Sequence, residues 1–238
     1  MPWRYEELPE CESTFLPARQ RPAWWVISAT RQTHGRGRFN RTWFGEPGGL
    51  WATYNVPIDP ALPRPWGLLP LVAGVAIMRA LAPFAIPGLR LRWPNDVLVG
   101  RSKLSGILVE RPSAHIAAIG IGLNIANDVQ SLAPHVADPP ARLADLTSPC
   151  PSVADLRTRL ADAIERTHID FMQSGFDAIA APLADAWQGQ RPVEVTTDTA
   201  THIGIFLGIT AEGAPILRPA DAPPHTIPPH LITRLREL

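Results

Sequence analysis

Lysine is almost missing from this sequence: of 22 basic residues in 238, Lys103 alone is lysine and the other 21 are arginine. Cysteine is nearly as scarce, since Cys11 and Cys150 make neither a disulfide framework nor a metal-ligand set, which fits a reducing, cytoplasmic setting. Charge of neither sign is in excess, with Lys+Arg 22 against Asp+Glu 22. No global field therefore draws the chain onto nucleic acid or an anionic membrane, and any anion site must be local. Long apolar runs are also lacking. The longest nearly uncharged apolar stretch, residues 66–78, covers 13 positions and includes Pro70 and Gly74, short of the roughly 20 that a membrane span needs. The opening residues do not read as a signal peptide, so none is expected. There is no Gly-x-Ser-x-Gly elbow, no phosphate loop ending in Gly-Lys-Ser/Thr, no His-Glu-x-x-His and no Cys-x-x-Cys. The pairs Gly35/Gly37 and Gly120/Gly122 lack the third glycine of a dinucleotide fingerprint. Catalytic zinc, dithiol redox chemistry and a Rossmann site each lose their usual signature.

What is present describes a folded chain. Hydrophobic residues at 45% and charged residues at 18% match soluble globular averages. The length suits one substantial core, or a main domain with a small satellite. Proline accounts for 27 residues, about twice the usual share of roughly 5%, spread so as to rigidify connections rather than to mark one disordered tract. Apolar runs predict strands at 24–29, 50–56, 89–92, 97–99, 104–110 and 116–121, with a long Arg- and Gly-rich loop at 30–49. Pro65 opens a predicted buried helix running to 81. Helical spacing recurs over 153–171 and 176–187, and period-2 segments at 193–197, 203–209 and 214–217 suggest a small β unit.

Three segments carry candidate chemistry. Residues 32–43 read Gln-Thr-His-Gly-Arg-Gly-Arg-Phe-Asn-Arg-Thr-Trp. Alternating arginine and glycine lets guanidinium groups and backbone N–H groups converge on a phosphate or carboxylate, and Trp43 offers a face on which a base can stack. The same composition also suits a solvated basic loop. Residues 91–110 contain Arg92-Trp93-Pro94-Asn95-Asp96 and then Lys103-Leu104-Ser105-Gly106-Ile107-Leu108. Pro-Asn-Asp is turn chemistry and could serve a hairpin alone. Lys103 is harder to assign to surface chance in a chain that otherwise uses arginine, because an ammonium is a compact point charge able to follow charge between oxygens during a reaction. Residues 120–124, Gly-Ile-Gly-Leu-Asn, end a strand in flexible backbone and present an amide.

In this order the three segments resemble the biotin protein ligase family. Its members carry a Gly-Arg-Gly-Arg-x-Gly-Arg-x-Trp loop, a Lys/Arg-Trp-Pro-Asn-Asp turn, a Lys-Leu-x-Gly-Ile-Leu strand and a Gly-x-Gly-x-Asn element. The resemblance implies an α/β (α+β) catalytic domain at 1–188, with a mixed sheet flanked by helices as in lipoate ligases and class II aminoacyl-tRNA synthetases, and an SH3-like β-barrel at 189–238. It implies that Mg-ATP and biotin form biotinyl-5′-AMP, and that the acyl group then passes to one lysine of a biotin carboxyl carrier protein. On matching positions, Ser13, Thr14, Gln32, Gly35, Arg36, Gly37 and Gly106 would hold biotin. Arg38 and Lys103 would act catalytically between its carboxylate and the α-phosphate of ATP. Arg41, Trp43, Asn95, Asp96 and Asn124 would serve the nucleotide, with Asp96 a candidate for Mg²⁺ or for deprotonating the incoming amine. The chain departs from the pattern at Phe15, where asparagine is usual, at Asn40, where glycine is usual, and at His34. Lipoate or octanoate as the acyl group, and a non-catalytic biotin binder, are the alternatives. No helix-turn-helix precedes the motifs, so DNA binding is not expected, nor is membrane binding; a monomer or a homodimer is expected.

Overall fold

The computed structural model describes residues 3–62, 66–136 and 138–238. Among the described residues, thirteen strands and four α-helices follow one another as β1 (Arg4–Cys11), α1 (Phe15–Ala18), β2 (Trp25–Arg36), β3 (Thr42–Gly45), β4 (Leu50–Pro57), α2 (Leu69–Leu81), β5 (Leu89–Arg92), β6 (Asp96–Val99), β7 (Ser102–Ser113) and β8 (Ile116–Leu123), then α3 (Val153–Ser174), α4 (Asp177–Trp187), β9 (Arg191–Thr197), β10 (Thr201–Ile209), β11 (Pro215–Arg218), β12 (His225–Thr226) and β13 (Ile232–Glu237). The first eight strands form one mixed sheet in the order β1-β2-β4-β8-β7-β6-β5, with β3 beside β2. Only β1 and β2 run parallel, joined through the turn that carries α1.

Strand alternation decides which face holds the core. β4 and β8 send Leu50, Ala52, Tyr54 and Val56, and Ala117, Ile119, Ile121 and Leu123, into the hydrophobic core. The alternate positions Thr53, Asn55, Gly120 and Gly122 face the other way, toward Thr14, Ala18, Phe15 and Trp43 respectively. α2 is apolar on every side, so it lies buried beneath α3 and α4 rather than on the surface. The helical segment Trp66–Phe84, with mean hydropathy 1.8 in its most apolar 18-residue window, is long and apolar enough to cross a membrane by length and composition only, and 61% of that window is buried inside the fold. The predicted start at Pro65 lies outside the described residues. α3 carries a buried stripe of Leu156, Leu160, Ile164 and Phe171; Ser152 caps it by accepting the Asp155 N–H at 3.1 Å, and Gly175 at φ 65° ends it.

Two sequence expectations change. The predicted loop at 30–49 is largely strand: β2 continues to Arg36 and β3 folds back on it, pairing Gly35 with Trp43. The expected SH3-like barrel is an open five-stranded antiparallel sheet, β12-β11-β10-β9-β13. β12 has two residues and pairs with β11. This second sheet is fastened to β5. Buried Arg90 pairs with Glu237 and donates to the Gly100 carbonyl, Gln188 donates to the Leu89 carbonyl at 2.8 Å, and the Trp93 indole N–H donates to the Gly213 carbonyl at 3.1 Å.

Candidate functional site

A cavity of about 820 Å³ opens on the face of the large sheet opposite the helices. Its closed end is built by the β1–α1 turn. Thr14 is fixed there by three hydrogen bonds: its N–H donates to Gln32 Oε1 at 2.8 Å, its hydroxyl donates to the same atom at 3.1 Å, and it shares a 2.8 Å bond with the Thr53 hydroxyl. Ser13 is buried beside it, and its hydroxyl has no partner within the protein. A buried hydroxyl left in this state is a donor and acceptor reserved for something else.

The floor is glycine. A Cβ on Gly122 would stand 2.3 Å from the Trp43 ring and one on Gly106 2.7 Å from it, so the indole lies flat against the sheet only because both positions lack side chains. Trp51 meets Trp43 edge-on at 6.2 Å. Across the mouth, the turn from Gly37 to Arg41 is closed by the Gly37 N–H donating to the Arg41 carbonyl at 2.7 Å. Phe39 and Asn40 take φ 55° and 56° within it. The αL conformation suits asparagine at 40, where the family pattern has glycine, and is strained for Phe39. Arg38 points into the cavity wall; burial, then the neighbouring Arg41, pull its pKa down, against the opposing field of Asp96.

Lys103 reaches the same space from β7. Its ammonium lies 2.5 Å from Asp96 Oδ1 and 5.4 Å from the centre of the Trp43 ring. The other Asp96 oxygen is taken by Arg92 at 2.6 Å, and Arg92 also grips both oxygens of Asp138, at 2.9 and 2.6 Å. Two cations and two anions thus alternate along one line. The Arg92 guanidinium holds the Asp138 carboxyl below the usual carboxylate range, with Lys103 and Arg234 adding to the effect. The backbone of Lys103 is stapled as well: its N–H donates to the Pro139 carbonyl at 2.7 Å, and its carbonyl accepts from the Ala141 N–H at 2.9 Å.

Most of the residues singled out in the sequence line this one cavity: Ser13, Thr14, Gln32, Arg36, Gly37, Arg38, Arg41, Trp43, Asn95, Asp96, Lys103 and Gly106. Two do not. Gly35 sits behind the loop, where a Cβ would come 2.3 Å from the Trp43 carbonyl, and Asn124 is buried with its amide donating to the Ala141 carbonyl at 2.9 Å, behind Lys103. Arg36 is turned aside to Glu110 at 2.8 Å, and the Asn95 amide donates to the Ile107 carbonyl at 2.8 Å. Sequence reading missed Asp138, Arg92 and the β13 residues Thr233 and Arg234, all of which line the cavity. Arg92 was visible as a buried arginine inside an apolar strand; Asp138 lies in an irregular segment that gives no such signal.

Comparison with known proteins identifies the family. Residues 9–125 match the model of the Biotin/lipoate A/B protein ligase family. The chain is 35% identical over 208 residues to the biotin--[acetyl-CoA-carboxylase] ligase of Paracoccus denitrificans, covering 82% of this chain and 83% of that one. A second relative with the same description, from Mycobacterium tuberculosis, is 37% identical over 120 residues, covering 49% of this chain and 43% of that one. Among solved structures, biotin protein ligase from Aquifex aeolicus in complex with biotin and ATP shares the fold at a TM-score of 0.86 and 23% identity, with 99% of each chain covered.

Proposed function

Since the chain belongs to the biotin protein ligase family, we propose that its cavity activates biotin with ATP and passes the biotinyl group to a lysine of a biotin carboxyl carrier protein, as in acetyl-CoA carboxylase. The observation that carries this reading is the convergence of Arg38 and Lys103, from distant parts of the chain, on one cavity with a polar closed end and an aromatic floor.

The chemistry explains why those groups must meet. In the first step a carboxylate oxygen of biotin attacks the α-phosphorus of ATP; the bond to the β-phosphate oxygen breaks, and pyrophosphate leaves. Two anions are driven together, and their repulsion at contact distance must be offset by fixed positive charge where water is scarce. Arg38 and Lys103 provide it. Asp96 holds the ammonium in place before substrate arrives, while Arg92 engages the other Asp96 oxygen and so fixes the carboxylate that orients Lys103. In the second step the carrier amine attacks the acyl carbon, the bond to the AMP oxygen breaks, and an amide forms as the amine loses its proton.

The remaining roles follow from position. Ser13, Thr14 and Gln32 suit the urea edge of biotin, and the Gly35–Gly37 backbone and Gly106 border its chain. Trp43 presents its free face to the adenine, with Arg41 and Asn95 on the nucleotide side. Asn124 supports the strand that carries Lys103. Among the described residues no group of three metal-ligating side chains is present, and both Asp96 oxygens already face cations. Asp96 is therefore a poor fit for a resident Mg²⁺; the ion comes with the triphosphate as part of the substrate.

The test is pyrophosphate release dependent on added acid. Biotin should drive it, and lipoate and octanoate should not. Release with lipoate instead would move the chain to the sister activity, and binding of biotin without release would make it a sensor.

A further inference from the structure

We propose that Phe15 is the specificity wall of this pocket: its ring, seated on Gly120, bounds the closed end and receives the apolar, sulfur-bearing edge of the acid. The inference rests on the biotin reading above and adds what selects the ligand within it.

Phe15 lines the cavity and is otherwise buried. Its ring tip occupies the space above Gly120 so closely that a Cβ there would stand 2.4 Å from Cζ. The point from which the ring projects is fixed, because its backbone is anchored at both ends. Thr14, just before it, is held by Gln32 and Thr53, and Ala18, at the end of the same short helix, gives its carbonyl to the Asn55 amide at 2.8 Å. The closed end therefore has two unlike walls. One is polar, with the unpartnered Ser13 hydroxyl and the Thr14–Gln32 pair; the other is aromatic.

Biotin is likewise two-sided. Its urea edge carries a carbonyl and two N–H groups, and its opposite edge is a ring of carbons and one thioether sulfur. Leaving the urea unpaired costs far more than misplacing apolar surface, so the urea takes the polar wall and the sulfur-bearing ring is turned toward Phe15. A thioether against an aromatic ring is a favourable contact, whereas oxygens on that sulfur would be forced, without hydrogen bonds, against an apolar surface.

The experiment measures acid-dependent pyrophosphate release with biotin and with biotin sulfone, whose sulfur bears two oxygens. It uses the wild type, Phe15→Ala, Phe15→Leu, Gly120→Ala and the Phe15→Ala/Gly120→Ala double variant. The wild type should use biotin and discriminate against the sulfone. Phe15→Ala should raise KM for biotin about tenfold and shrink the biotin-to-sulfone preference by a similar factor, with Phe15→Leu between. Gly120→Ala should push the ring into the cavity and raise KM for biotin about tenfold or more, and removing the ring in the double variant should recover most of that loss. A purely structural role would lower both acids' turnover equally. An unchanged preference in Phe15→Leu and Phe15→Ala, or a Gly120→Ala defect that the double variant does not repair, overturns the proposal. If Phe15→Ala fails to fold, Phe15→Leu and the double variant decide it. Absence of biotin-driven release in the wild type instead overturns the proposed activity.

Discussion

Replacing Lys103 by arginine keeps the charge and asks whether its shape matters. The ammonium occupies a narrow slot. Asp96 lies 2.5 Å ahead of it and the Trp43 ring centre 5.4 Å away, while its Cε and Nζ stand 3.2 and 3.3 Å from the point where a Cβ on Gly106 would be. A guanidinium is planar and wider, and its fork matches a carboxylate in bidentate fashion. In this slot it would close on Asp96 with both arms and leave no donor for the oxygens whose charge changes during the reaction. Full loss of the cation can be scaled from a unit charge pair at 4 Å, which is worth about 4 kcal/mol at an effective dielectric of 20. Loss of one donor to a developing anion costs about 10²–10³ in rate. Lys103→Gln should therefore lose about 10²–10³ in biotin-dependent pyrophosphate release, and Lys103→Arg at least about tenfold. Both variants should fold, because Asp96 keeps Arg92 as a partner. Pyrophosphate release at saturating biotin and ATP is the assay. Turnover of Lys103→Arg within threefold of the wild type would refute the argument.

Three further outcomes are expected. His168 is buried with Nε2 donating to the Pro57 carbonyl at 2.7 Å, and burial lowers its pKa against the smaller opposing pull of that carbonyl. The unfolded chain therefore takes up this proton before the folded one does, and thermal stability should begin to fall as pH drops below the ordinary imidazole value of about 6.5. His168→Gln should flatten that part of the Tm profile, and an identical slope in the variant would exclude His168 as its source. Arg90→Ala should cost about 3 kcal/mol in chemical denaturation by stranding the partly buried Glu237 carboxylate, whereas Arg90→Met with Glu237→Leu should recover most of it; equal losses in both would mean the charges themselves are not what matters. Opening the loop with Arg38→Gly should let the reactive anhydride escape, yet biotin should reach no internal site of the chain except Lys103, because no other lysine exists. Peptide mapping that finds heavy labelling elsewhere would contradict this.

The strands whose apolar positions follow a simple period were readable from sequence, as were α3 and α4. β1 was not, because Arg4–Cys11 shows no regular burial and is held in place by its parallel pairing with the next strand, β2. β3 was hidden for a related reason: Thr-Trp-Phe-Gly is too short to show a period, and it forms a strand only because β2 extends to meet it. β13 lies among prolines and alternating charges that suggest surface. The cavity residues that carry charge or glycine in an unusual pattern were legible, Lys103 most of all, since one ammonium among arginines is a chemical choice. Asp138 was not, because its role exists only through Arg92, and nothing local to residue 138 announces a partner 46 positions away.

The tetrapeptide β5 joins two jobs. Arg90 and Arg92 are two residues apart and so project from the same side of one strand; the first grips Glu237 of the terminal sheet, and the second balances the carboxylates beside Lys103. One four-residue strand is thus the common footing of the terminal sheet and of the charge row beside Lys103, so the place of the last strand and the place of the ammonium are set from the same backbone.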